Sequence, residues 1–193
     1  DAGSYVYCAS ELGMYYFSKI DNSVNRMTRV QGLSDIGITD IAHNIDQDIV
    51  VVVYSNGNID LLRGEEVVNM EDLKRSNFPG SKRINSIAMK NEFAYLSCGF
   101  GVIVINLKKQ EVKETITLNT NGDLGVNDII SHSGLFYAAT NEGLYFAQES
   151  SNNLSDPNEW TIVDELPDST FSSLFVLGQK LHANYDNNIF NSD

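Results

Sequence analysis

The sequence predicts an all-β chain of repeated four-stranded antiparallel units, a β-propeller, and three observations carry the prediction. A turn marked by glycine recurs at a nearly constant interval, an apolar column recurs upstream of it, and helical periodicity is almost absent. The turn is clearest in VVVYSNGNIDLL around Gly57, where Asn-Gly between alternating apolar residues is a strong hairpin signal. Its counterparts are YVYCASELGMYYF around Gly13, AYLSCGFGVIVINL around Gly101 and FYAATNEGLYFA around Gly143. A fifth, LHANYDNNIF, carries Asn188 in the glycine position. From 13 to 57, 101, 143 and 188 the steps are 44, 44, 42 and 45 residues. Four-stranded units repeating at about 44 residues are the mark of propeller blades, which bury their faces only by stacking around a central channel.

The upstream column consists of Ile41 in ITDIAHN, Ile87 in INSIAMK, Ile129 in VNDIISH and Leu174 in FSSLFVL, 16, 14, 14 and 14 residues before the paired turn. The two extra residues in the first case fit the longer hairpin HNIDQD. Each column residue follows a small or polar dyad: Thr39-Asp40, Asn85-Ser86, Asn127-Asp128 or Ser172-Ser173. In the second unit the strands are expected near 38–43, 49–55, 58–63 and 65–70. Third strands alternate, as in Ile59 and Leu61 or Ile103 and Ile105. Second strands such as IVVVVY are continuously apolar, as suits a strand sandwiched between neighbouring sheets. The turn glycines Gly13, Gly57, Gly101 and Gly143, with Asn188, are expected at positive φ in two-residue type I′ loops. MEDLKRS (70–76) could form a single helical turn, and Pro79, Pro157 and Pro167 fall in connections.

One partial propeller over 1–193 is thus expected, with four to five blades near 1–31, 37–72, 83–118, 125–166 and 170–193. The chain enters at a second strand and leaves early in a third, so its ends duplicate rather than complement each other. That points to a piece of a longer propeller, or to an arc completed by another chain, with terminal blades that invite self-association. The chain begins at Asp1 without a signal peptide, as a processed export product or a trimmed piece would.

Composition narrows function. Hydrophobic residues make up 42% and charged residues 20%, an ordinary globular balance. A net charge of −13 argues against nucleic acid, because phosphate binding needs clustered cations and the basic pairs Lys74-Arg75, Lys82-Arg83 and Lys108-Lys109 are isolated. The longest apolar run, Ile49 to Tyr54, is one strand long and far short of a bilayer span. Cys8 and Cys98 form no metal or redox pair by spacing and leave the compartment open.

Catalytic and metal signals are sparse. His43 and His132 fall near the ends of first strands and His182 on a second strand, at non-equivalent heights on three units, so no metal or other cofactor is expected. NTNGD (119–123) lacks the spaced carboxylates of a calcium loop and reads as an inter-blade turn. CGFG (98–101) lacks the lysine and helix of a phosphate loop, and no nucleophile elbow is present. SSNNLSDPNEW (150–160) is an insertion before the last strand of its blade, without the residue order of an aspartate box, and Trp160 reads as a packing residue. No enzymatic activity is expected. If the ring binds a ligand, the channel end formed by inter-blade and second-to-third-strand loops is the place. Its candidates are Asp35, Asn56, Arg75, Arg83, Phe100, Asp123 and Asn141.

The stretches GLSDIGITDIAHNIDQDIVVVVYSNGNIDLL (32–62), INSIAMKNEFAYLSCGFGVIVINL (84–107) and VNDIISHSGLFYAATNEGLYFA (126–147) resemble the amino-terminal β-propeller of PorZ-like proteins. YSNGNIDL and AYLSCGFGV are the most specific parts. The resemblance implies an exported Gram-negative protein of the periplasm or cell surface. It further implies association with the type IX secretion system, in a complex that attaches cargo to anionic lipopolysaccharide. The implied partners are secretion and attachment proteins or a surface glycan, without membrane insertion. The family brings no catalytic residues, since the sortase activity belongs to a partner. GLSD-x-x-I-T-x-I before an Asn-Gly turn also resembles the periplasmic ligand-sensing propellers of hybrid two-component sensors. Those repeats carry Trp and Gly-Thr before the turn, where this chain has Val52 to Ser55.

Overall fold

The computed structural model describes residues 2–78, 81–186 and 188–191, so Asp1 and Pro79 lie outside the described residues. Its strands form five antiparallel sheets in chain order. Sheet I holds β1 (Tyr5–Ser10), β2 (Gly13–Ser18) and β3 (Val24–Met27). Sheet II holds β4 (Ile38–Asn44), β5 (Ile49–Tyr54), β6 (Ile59–Arg63) and β7 (Glu66–Met70). Sheet III holds β8 (Ile84–Lys90), β9 (Phe93–Cys98), β10 (Gly101–Asn106) and β11 (Glu111–Ile116). Sheet IV holds β12 (Val126–His132), β13 (Leu135–Thr140), β14 (Gly143–Gln148) and the two-residue β15 (Thr161–Ile162). Sheet V holds β16 (Phe171–Leu177), β17 (Lys180–Tyr185) and β18 (Asn188–Asn191). The expected helical turn is present as α1 (Asp72–Arg75).

Cores lie between sheets, and strand alternation explains them. In β5, Ile49, Val51 and Val53 point to sheet III, while Val50, Val52 and Tyr54 point to sheet I. β10 repeats the division, sending Ile103 and Ile105 toward sheet II and Val102 and Val104 toward sheet IV. A continuously apolar run is therefore ordinary alternation between two buried faces. Each such side chain contributes about 1.5–3 kcal/mol by leaving water. The 150–160 insertion folds back so that Trp160 enters the III–IV core, its indole N–H donating to the Leu154 carbonyl at 2.9 Å. The outward face of sheet I leaves Val6, Tyr15, Phe17 and Val24 exposed on mutually paired strands.

The turn chemistry differs from the expectation. Gly13, Gly101 and Gly143 open their third strands at φ of 153°, 140° and 139°, and the central turn residues before them do not have positive φ. Glycine is needed there for contact as well as conformation: a Cβ on Gly101 would lie 2.1 Å from the Ile116 carbonyl oxygen. Gly57 (φ 81°) closes a three-residue loop, with its N–H donating to Tyr54 O and Tyr54 N–H donating to Asn58 O, both at 3.0 Å. The five-residue spacing makes room for a left-handed glycine after a type I turn rather than a type I′ pair. Paired positive φ occurs instead between first and second strands, at Ser133-Gly134 and Gly178-Gln179. Asn188 opens β18 opposite Tyr185, and its turn neighbour Asn187 lies outside the described residues.

Candidate functional site at the inner-strand bulges

The first strands β4, β8, β12 and β16 lie next to one another. Each carries a register shift at its second residue, falling on Thr39, Asn85, Asn127 and Ser172. These are the leading members of the polar dyads. A bulge frees one residue from the ladder and re-aims its side chain. The Asn85 amide donates to the Val126 carbonyl of the next sheet at 2.8 Å, and the Asn127 amide donates to the Phe171 carbonyl at 2.8 Å. The second dyad member extends the grip: Asp128 accepts from Ile129 N–H at 2.9 Å with one oxygen and from Leu174 N–H of sheet V at 2.8 Å with the other. Side chains thus hold adjacent inner strands where no backbone ladder joins them.

A polar cavity of about 440 Å³ opens over these bulges, lined by Thr39, Asp40, Arg83, Asn85, Asn127 and Asn141, with Ile84, Thr170 and Ser172 completing the wall. Burial raises the Asp40 carboxyl above its ordinary range; the Ile41 N–H opposes this and the Asp128 charge adds to it. The cavity hydroxyls donate to backbone: Thr39 to Val53 O, Thr170 to Asn141 O and Ser172 to Asn184 O.

Arg83 and Asn141 are the two sequence candidates that meet in this cavity. Asp35 and Asn56 meet elsewhere, over the Gly57 turn, where Asp35 accepts from Asn56 at 2.7 Å and from Lys74 at 2.9 Å. Burial alone would raise the Asp35 carboxyl, but Asn56, Lys74 and the Ile36 N–H outweigh it and hold it at about 2. Beneath them Asp60, fully buried, accepts from Ser34 N–H, Tyr54 OH and Asn69. This network locks the linker before sheet II to the turn. Arg75 pairs with Glu71 beside α1. Phe100 is fully buried and stacked on Phe78 at 4.5 Å, so it presents no surface to a ligand. Asp123 is exposed in a loop that Asn119 caps through the N–H groups of Gly122 and Asp123. Thr39, Asp40, Asn85 and Asn127 are the residues sequence reasoning missed as a site, although the dyad pattern marked their positions.

The histidines do not converge. His43 contacts Asp48 at 3.1 Å within its own hairpin, and His182 stacks on Phe175 at 4.9 Å. Among the described residues no group of three His, Cys, Asp or Glu is placed to hold a metal ion, and no helix is long and apolar enough to cross a membrane. On the opposite face, between sheets III and IV, Lys90 contacts both Glu149 and the Ser131 hydroxyl. Burial pulls the Lys90 ammonium below its ordinary range, while Glu149 pairs with it.

The family model for the PorZ N-terminal β-propeller domain of the type IX secretion system matches residues 6–161. Among solved structures, PorZ of Porphyromonas gingivalis, described as an essential bacterial surface component of that system, superposes with a TM-score of 0.87 at 23% identity. The extracellular domain of the putative hybrid two-component system BT4673 from B. thetaiotaomicron follows at 0.77 and 18%, and that of BT3049 at 0.68 and 16%. The PorZ and BT4673 alignments cover all of this chain and the BT3049 alignment 98% of it, but the chain spans only 26% of each of the three. None of the curated proteins matches.

Proposed function

Because the chain belongs to the PorZ N-terminal β-propeller family, we propose that it is a non-catalytic recognition module of a type IX secretion component, working in the periplasm or at the outer-membrane surface in the attachment of exported proteins. The family match over 6–161 carries this reading. The site chemistry supports it. The cavity hydroxyls are committed to backbone carbonyls, and the cavity wall contains no histidine to activate them. What the cavity does offer is a set of amides, one acid and one arginine suited to binding.

The test is made in cells with the full-length protein. Excision of this propeller should release cargo from the outer membrane into the medium, as read by fractionation and immunoblotting. Unchanged attachment would sink the proposal. The likeness to BT4673, complete over this chain at a TM-score of 0.77, supports a second reading as a ligand-sensing propeller. Under that reading excision leaves cargo in place and alters transcription in response to a ligand.

A further inference from the structure

The inter-sheet clamp is made at two junctions and left open at a third. At III–IV and IV–V a bulged asparagine donates to the carbonyl of the first residue of the next inner strand, Val126 or Phe171. At II–III the bulged residue is Thr39, whose shorter side chain turns onto Val53 O of its own sheet at 3.3 Å. The Ile84 carbonyl, counterpart of Val126 and Phe171, therefore accepts from no side chain among the described residues. Asp40 shows the same vacancy. It pairs with Val53, whose side chain faces sheet III, so Asp40 faces sheet III as well. One of its oxygens accepts the Ile41 N–H at 2.8 Å, whereas its counterpart Asp128 engages both oxygens. Among the described residues no cation pairs with Asp40, although Arg83 lines the same cavity.

We propose that this open clamp binds the primary ammonium group of a peptide, held by the free Asp40 oxygen, the Ile84 carbonyl and the Thr39 hydroxyl oxygen. An ammonium offers three donors and no acceptor, and it meets three acceptors here. The Thr39 hydroxyl spends its proton on Val53 O and keeps its lone pairs. The bond to Asp40 is charge-assisted, and the cation relieves a half-buried carboxylate that burial disfavours. The net charge of −13 draws cations to the surface. A peptide suits the rest of the wall, where the Asn141 amide nitrogen is free to donate to a backbone carbonyl, its oxygen being taken by Asn127 at 3.0 Å. The inference deepens the recognition role proposed above by naming the chemistry recognised.

The test is calorimetric titration of the full chain with three probes: triglycine amide, its N-acetylated form, and N-acetyl-Gly-Lys-Gly amide. Saturable binding of the free α-ammonium, at least tenfold weaker after acetylation, is expected; binding of the lysine probe alone would assign the source to a side chain and also support the site. Asp40→Asn should weaken binding at least tenfold. Thr39→Asn restores the clamp onto Ile84 O and should abolish binding with an unchanged or raised thermal midpoint, which separates occupancy from misfolding. Arg83→Gln, which removes a like charge from the cavity wall, should tighten binding. Equal binding of free and acetylated triglycine, no binding of either amine probe, or unchanged binding by Asp40→Asn or Thr39→Asn would overturn the proposal. Cargo attachment in cells is a separate readout, so failure here leaves the secretion reading standing.

Discussion

Replacing Gly101 by alanine tests whether the recurring glycine is a contact requirement or only a flexible turn. Gly101 has φ of 140°, and its Cβ would lie 2.1 Å from the Ile116 carbonyl oxygen and 3.2 Å from its carbon. The obstructing atoms are backbone of the neighbouring strand, where Ile116 pairs with Val102, so relief requires β11 to move off β10. A glycine-only backbone conformation costs a non-glycine residue about 1–3 kcal/mol. Forcing apart a packed strand adds about 1–3 kcal/mol more. A loss near 4 kcal/mol is expected, roughly the sum of these two penalties. Gly64 is the control: its φ is 59° but no atom lies within 4 Å of the added Cβ. Gly64→Ala should cost about 1 kcal/mol, the intrinsic penalty of the left-handed region. Urea unfolding followed by fluorescence of Trp160, the one tryptophan, reads the III–IV core directly. A difference between the two variants below about 1 kcal/mol, within the error of such extrapolations, would refute the contact explanation.

Asp35→Asn should destabilise the protein by about 1–2 kcal/mol at pH 7, discounted for partial exposure. Because the folded carboxyl sits at about 2 against an ordinary 3.8, its contribution is present above pH 3.8 and disappears as pH falls through 2. Wild-type and variant unfolding curves should therefore converge in acid, and a constant gap would contradict the network. Tyr54→Phe removes one of three donors to the buried Asp60 and should cost about 2 kcal/mol by urea titration; a neutral result would show that the hydroxyl is not needed there. A thiol-exchange reagent at neutral pH should label exposed Cys8 quickly. Cys98, whose thiol burial pushes up to about 11, should react only after unfolding, so two fast thiols would contradict its placement.

The repeat was legible because stacking imposes the same demands on every unit. A central strand facing two neighbours must be apolar at every position, as in Ile49 to Tyr54, and a third strand opening against its fourth leaves room only for glycine, as at Gly101. The reason for the glycine was not legible. Asn-Gly in YSNGNIDL is consistent with two hairpin types, and the choice depends on whether Asn58 closes the loop, a pairing set by the tertiary position of Asp35 and Asn69. Phe100 shows a second limit. Its place in a tight second-to-third-strand turn suggested exposure, but Phe78 arrives from a distant connection and covers it. Arg83 and Asn141 could be assigned to one face because propeller loops alternate between two ends, which is topology. That they share a cavity with Thr39 and Asn127 depends on bulges, and a one-residue register shift leaves no composition signal.

In a repeat protein the informative residue at a site is the one that departs from its column. Asn85 and Asn127 are each explained by the bond they make to the next sheet, so their recurrence needs no ligand. Thr39 gives up that bond. A neutral hydrogen bond contributes about 1 kcal/mol net, a small loss beside the burial of several large side chains at about 1.5–3 kcal/mol each. The II–III junction can spare it, because Ile49, Val53, Leu96, Phe100, Ile105 and Leu107 are all sealed in its core. A junction so well packed does not need its clamp to stay closed, and the unclaimed acceptors at Asp40 and Ile84 are then available to a ligand without loss of the fold. The same substitution at IV–V would act on a smaller buried cluster, in which Ala139 and Ala183 stand beside Leu144, Phe171, Leu174 and Leu181, so that junction has less to spare. Asn127→Thr should therefore destabilise the protein more than Thr39→Asn stabilises it, as measured by paired thermal unfolding. Equal and opposite shifts would show that the clamps contribute alike and that the vacancy at sheet II has no packing basis.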